Sequence, residues 1–114
     1  MQECLFCQIA QKKLTTTLVY EDEHVLGFHD INPKAPIHIL IIPKIHIATL
    51  NDLQNTDTEL VGHMVWTASQ IAQMLQIADQ GYRLVFNCNN AGGQTVFHIH
   101  LHLLGGRTLT WPPG

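Results

Sequence analysis

From Phe97 to Leu103 apolar residues alternate one for one with His98, His100 and His102. Successive side chains of an extended chain face opposite sides, so the pattern predicts a strand within 96–104. Phe97, Ile99, Leu101 and Leu103 then share a core face and the three imidazoles the other. A helical turn would scatter both sets. Upstream, Phe6, Ile9 and Ala10 stand at helical spacing, with Lys12 and Lys13 near the C-terminal end of a short predicted helix. Two extended runs, 18–20 and 24–29, flank the polar turn Glu21, Asp22, Glu23 and predict a hairpin. After the prolines of "INPKAP", the run "HILIIP" predicts a buried strand over 37–42, stopped by Pro43.

Leu60, Val61, Met64, Val65, Ala68, Ile71, Ala72 and Leu75 recur at threes and fours and predict the one long helix. Thr56 with Glu59 has the form of a capping box at its start, and Gly81 is the expected left-handed stop. "YRLVFNCN" predicts a further strand, with "NAGGQT" as a glycine turn that makes 82–104 a central hairpin. The order α, β, β, β, α, β, β fits a single α+β domain over 1–114 with a largely antiparallel sheet. "TWPPG" is too proline-rich for regular structure.

Composition narrows the partners. The chain has 114 residues, a formal net charge of −3 and only six Lys plus Arg, which argues against a broad nucleic-acid surface while leaving room for a small anionic ligand at a local site. No window approaches the roughly 18 apolar residues of a membrane span, and "MQECLFCQIAQKK" lacks the form of a signal peptide, so the expected location is cytoplasmic with no membrane partner. Three cysteines then point to reduced thiols or a metal site.

Three neighbouring imidazoles resist being charged together, and an apolar surround favours their neutral form further. A neutral imidazole at His100 can attack an electrophile while its neighbours hold or protonate it, and phosphorus suits this: His100 displaces a leaving group in line and adjacent donors stabilise phosphoryl oxygens. A single ion bound by all three is harder to build, because His98 and His102 lie about 13 Å apart along a strand. Gly92 and Gly93 before the strand can bring N–H groups to an anion, and Thr95 offers a hydroxyl, although a plain turn explains the glycines equally well. Cys4 and Cys7 have the spacing of half a tetrahedral zinc site; two thiols on a short helix, or a redox pair without its usual βαβ setting, are the alternatives. Cys88 reads as a small core residue.

"HIHLHLL" resembles the signature of the histidine triad (HIT) superfamily. Together with "LFCQIA", "YEDEHVLGFHDINPKAPIHILIIPKIHI", "GYRLVFN", "GGQTVFHIHLHLLGGR" and "WPPG" it resembles the Hint branch, the purine nucleoside phosphoramidases, over nearly the whole chain. The resemblance implies a HIT-like α+β fold, a five-stranded sheet with one long and one short helix, in a homodimer whose sheets join. It implies His100 as the nucleophile forming a nucleotidyl-histidine, His98 and His102 flanking the phosphate, and His38 in support.

By the same resemblance Phe6, Ile9, Phe28, His29, Ile31 and Leu40 form the purine pocket for an AMP or GMP unit, and Asp30 accepts from the ribose. Asn87, Gly93, Thr95 and Val96 lie at the phosphate. Thr95 departs from the serine of some relatives but keeps the hydroxyl. Histidine at 102, where the transferase branch has glutamine, favours hydrolysis. Some bacterial relatives imply structural zinc on Cys4, Cys7, His46 and His98. Without the resemblance, Asp30 reads as a turn residue, Asn87 as a strand-end partner, His38 as a core histidine and Phe28 and Leu40 as core. Two other functions stay open: nucleotide binding or regulation with little turnover, and dinucleoside polyphosphate hydrolysis.

Overall fold

The computed structural model describes residues 4–114; residues 1–3, the start of the stretch read for a signal peptide, lie outside them. In chain order the elements are α1 (Leu5–Ala10), β1 (Leu18–Glu21), β2 (Val25–His29), β3 (Ile37–Pro43), α2 (Thr58–Met74), β4 (Tyr82–Phe86), α3 (Asn89–Gly92) and β5 (Leu101–Gly105). The strands form one five-stranded sheet in the order β1-β2-β3-β5-β4, each neighbour antiparallel. No helix among the described residues is long and apolar enough to cross a membrane.

The sheet has two covered faces. Toward α2, Val25, Ile39, Ile41, Ile99, Leu101 and Leu103 pack with Met64, Ala68, Ile71 and Ala72. Toward α1, Leu26, Phe28, Leu40 and Ile42 pack with Phe6 and Ile9. β3 therefore supplies apolar side chains to both sides, which is why its sequence is a continuous apolar run rather than an alternation. Gly27 lets α2 come close: a Cβ there would lie 3.0 Å from Cδ1 of Ile71.

Several expectations are corrected. β5 starts at Leu101, not at residue 96: its partner β4 ends opposite it at Phe86 and its ladder with β3 stops at Ile41; beyond it Ile99 N–H reaches Ile47 C=O (2.8 Å), and His98 and His100 lie on irregular chain. The two-faced alternation survives at Ile99, Leu101 and Leu103, whereas Phe97 is exposed. β4 and β5 pair antiparallel as expected, from Tyr82↔Gly105 to Phe86↔Leu101, but the connection is the short helix α3 closed by Gly93 at φ 85° rather than a glycine turn, and β4 lies at the sheet edge, not its centre.

The long helix starts at Thr58 rather than from a Thr56–Glu59 box. The preceding turn is closed by Asp57, which accepts from Gln54 N–H at 2.8 Å, and a complete box forms earlier between Thr49 and Asp52. It ends at Met74 with Gln76 left-handed, so Gly81 (φ 104°) shapes the loop into β4 instead of stopping the helix. Val65 is exposed and Thr67 buried in its place. Lys12 lies past the end of α1 and pairs with Glu21 at 2.6 Å. Cys88 is only half-buried.

Candidate active site and metal centre

The α1-facing side of the sheet carries the chemistry. β3 and β5 set Leu40 opposite His102 and His38 opposite Leu104, so His38 and His102 stand on one face of adjacent strands. Their rings meet: His38 Nε2 lies 2.9 Å from His102 Nδ1. Hydrogen-bond partners fix which nitrogen holds each proton. Lys34 N–H donates to His38 Nδ1 (3.0 Å), so neutral His38 has its proton on Nε2 and donates to His102 Nδ1. His102 must then hold its proton on Nε2, a buried donor without a protein partner among the described residues.

His100 is fixed the opposite way. Its Nδ1–H donates to the His98 carbonyl (2.8 Å), which leaves the lone pair on Nε2. The ring stands 5.0 Å from that of His102 and edge-on to Phe6 at 5.0 Å. Burial pushes the His100 and His38 imidazoliums below their usual range, Asp30 partly opposing this in both. Burial, then the neighbouring His100 and His38, depress His102 to about 4. At neutral pH the cluster is uncharged, with an unprotonated nitrogen beside a protonated one.

His98 takes one of the two places expected of it, with the cysteines rather than at the phosphate. It is fully buried; its Nε2–H donates to Pro43 C=O (2.8 Å), and burial lowers its pKa to about 4. Its Nδ1 points away from the other two rings, to Cys4 Sγ (3.5 Å), Cys7 Sγ (3.5 Å) and His46 Nδ1 (3.2 Å). The His98 ring therefore has no nitrogen left for a phosphate, and its carbonyl serves the site instead. Cys7 Sγ also lies 3.3 Å from His46 Nδ1, and all four ligand atoms fall within 4.8 Å of one another. Zn–S bonds of about 2.3 Å and Zn–N bonds of about 2.0–2.1 Å in a tetrahedron space ligands by roughly 3.3–3.8 Å; the four separations just given, 3.2–3.5 Å, lie at the short end of that spacing. Two thiols and two imidazole lone pairs converging on one point fit a divalent cation of the zinc type.

Of the expected purine-pocket residues, the structure brings together Phe6, Ile9, Phe28 and Leu40, with Val96 packed against them. Phe6 and Phe28 meet edge-on at 5.7 Å. Ile31 is 97% exposed and His29 lies exposed at the end of β2, so neither joins that wall. Asp30 shapes the turn, its Oδ1 accepting from Asn32 N–H (2.8 Å), and its Oδ2 lies 3.4 Å from His38 Nε2, a contact the sequence did not suggest.

On the phosphate side, Gly93 N–H donates to Asn90 C=O (3.0 Å) at the end of α3, which takes that N–H away from the anticipated anion cradle. The N–H groups of Thr95 and Val96 just after the glycines have no protein acceptor among the described residues, and the Thr95 side chain is exposed. Asn87 is half-buried just past β4. Lys34, Lys44 and Arg107 are occupied by Asn32 C=O, Glu21 and Lys34 C=O.

Sequence reading passed over Gln94. Its amide is buried; Nε2 donates to Ala48 C=O (2.8 Å) and Val96 C=O (3.0 Å), and Oε1 accepts from Asn89 N–H (2.8 Å). It clamps the 89–96 segment that leads into the histidines. The only local signal is a long amide wedged between glycines and a β-branched pair; its main partner is 46 residues away.

A family model described as the HIT domain matches residues 11–109. The chain belongs to the HIT domain family. It is 47% identical over 108 residues to a purine nucleoside phosphoramidase of Escherichia coli K12, covering 95% of this chain and 91% of that one. Among solved structures, a HIT family hydrolase from Legionella pneumophila superposes with a TM-score of 0.97 at 56% identity, over 98% of this chain and all of that one. A histidine triad nucleotide-binding protein from Candida albicans gives a TM-score of 0.81 at 27% identity, over 96% and 83%. The family match itself begins at residue 11, past α1, while the Legionella structure superposes over 98% of the chain.

Proposed function

We propose that this HIT protein hydrolyses the P–N bond of purine nucleoside 5′-phosphoramidates, AMP-linked or GMP-linked amines, through a nucleotidyl-histidine on His100. The observation that carries the reading is the pair of opposed tautomers: an Nε2 lone pair on His100 beside an Nε2–H donor on His102. The lone pair attacks phosphorus as the P–N bond breaks, and the departing nitrogen takes up a proton and leaves as the amine. Water then attacks the phosphorus of the nucleotidyl-histidine, restoring neutral His100 and releasing the nucleoside monophosphate. The His102 donor and the N–H groups of Thr95 and Val96 are suited to phosphoryl oxygens, whose charge grows in the transition state. The apolar wall of Phe6, Ile9, Phe28 and Leu40 suits a purine base, and Asp30 Oδ2 is an acceptor for ribose hydroxyls.

Two further elements belong to this proposal. Cys4, Cys7, His46 and His98 would hold zinc, a closed four-ligand centre that supplies structural fixation rather than an open coordination position. The expected homodimer would form at β4, an edge strand whose five residues are all half-exposed and whose outer side pairs with no strand of its own sheet. Nothing in the charge balance suits nucleic acid, and the working location is the cytoplasm.

The test is steady-state turnover of an adenosine phosphoramidate, with AMP binding measured beside it. His100→Ala should lose at least about 10³-fold in kcat while still binding AMP. Equal rates would remove His100 as nucleophile. Tight AMP binding by the wild type without measurable turnover would favour a binding role.

A further inference from the structure

The four-ligand cluster and the nucleophile are not separate features of this molecule. His98 contributes its ring nitrogen to the cluster and its backbone carbonyl to His100 Nδ1–H, at 2.8 Å. Phe6 lies between Cys4 and Cys7 in sequence, and its ring stands edge-on to His100 at 5.0 Å and to Phe28 at 5.7 Å. The metal ligands thus touch the nucleotide site by two routes, one through the chain at 98–100 and one through α1.

α1 has little to hold it in place by itself. It has six residues, its N-cap residue Cys4 makes no side-chain capping bond, and it carries no acidic residue in its first turn or basic residue in its last. A helix that short is unstable alone and depends on what anchors its side chains. Its anchors are the buried Phe6 and Ile9, which would themselves wall the base pocket, and the two thiols at the cluster.

We propose that binding of a zinc-type divalent cation by Cys4, Cys7, His46 and His98 completes the nucleotide site, by clamping α1 and Phe6 against His100 and holding the His98 carbonyl that fixes the His100 tautomer. Metal occupancy and nucleotide affinity are then coupled, and by linkage each strengthens the other by the same factor. The coupling rests on the nucleotide reading where it speaks of AMP, but not where it speaks of the His100 ring.

The experiment uses the full chain, zinc-loaded and chelator-stripped, with His46→Asn as a milder ligand loss because His46 is exposed and outside the core. Cys88→Ser is the control, since Cys88 is not in the cluster. Ring ¹⁵N–¹H correlation spectra report the His100 tautomer, calorimetry reports AMP affinity, and competition with a chromogenic chelator reports Zn²⁺ affinity with and without AMP. Methyl signals of Ile39 and Ile41 confirm that the core stays folded.

The expected result is stoichiometric Zn²⁺ and, on stripping, a His100 ring that loses its single Nδ1–H form. AMP affinity should fall by about 5–150-fold, the usual range of site-to-site coupling, with a matching factor on Zn²⁺ affinity when AMP is present. Cys88→Ser should leave all three readouts unchanged. The proposal is overturned if no stoichiometric Zn²⁺ binds, or if stripped protein and His46→Asn keep both the His100 spectrum and AMP affinity of the loaded wild type. Failure of AMP to bind even the loaded protein would sink the nucleotide reading, and the His100 spectrum would still decide the coupling. Global unfolding of stripped protein shifts the decision to His46→Asn.

Discussion

A single backbone amide, Lys34 N–H, sets the protonation pattern two residues away from itself in the hydrogen-bond chain. By donating to His38 Nδ1 it leaves His38 to donate to His102, and His102 to present its Nε2–H. Replacing His38 by Phe should therefore free His102 to take the other tautomer, removing a donor from the phosphate side while leaving the His100 nucleophile in place. Loss of one buried hydrogen-bond partner is worth about 1–3 kcal/mol, so kcat for an adenosine phosphoramidate should fall about 5–150-fold with KM little changed. His38→Gln, which can still donate, should recover part of the rate. A fall confined to KM would show that His38 serves binding alone. The three alternating histidines were legible from their spacing; that His98 turns its ring to the thiols was not, because the thiols lie more than ninety positions away.

Elements form where local and non-local requirements agree, and two glycines separate these cleanly. Gly106, just past β5, sits at φ 87°, and a Cβ there would lie 2.9 Å from Cβ of Pro36, a ring that cannot rotate aside. Gly106→Ala should cost about 1–2 kcal/mol from the left-handed backbone alone and more from the clash, read as a lower urea midpoint. Gly62 lies exposed within α2 with nothing within 4 Å of an added Cβ. Gly62→Ala should raise stability by about 0.5–1 kcal/mol, and a destabilisation there would reveal a contact on that helix face. The long helix, β1 to β3 and the edge prolines follow from periodicity and from Pro43. The start of β5 and the helix α3 do not, because a ladder ends where its partner ends, and "AGG" serves a turn or a helix terminus equally well. Gln94 shows the same limit: its clamp on Ala48 is made by the fold, not by its neighbours.

Across the whole molecule, stability and site chemistry draw on the same buried imidazoles. An unfolded histidine protonates near pH 6.5, whereas burial holds His102 neutral down to about 4 and also lowers His38. Between those limits the unfolded chain binds more protons than the folded one, so stability rises with pH across this window. The sign is fixed: the stability these two groups allow is complete above about pH 6.5 and is lost as pH falls toward 4. Urea midpoints of the wild type should therefore drop from pH 7 to pH 4.5. A His38→Gln/His102→Gln variant, which has no imidazole to protonate at these places, should drop by clearly less over the same interval. Turnover should fall as pH drops through the same window, because a proton that takes up the Nε2 lone pair of His100 removes the nucleophile. If the double variant and the wild type lost stability in parallel, the acid sensitivity would lie outside this pair, and the neutrality argued for the site would lose its thermodynamic support.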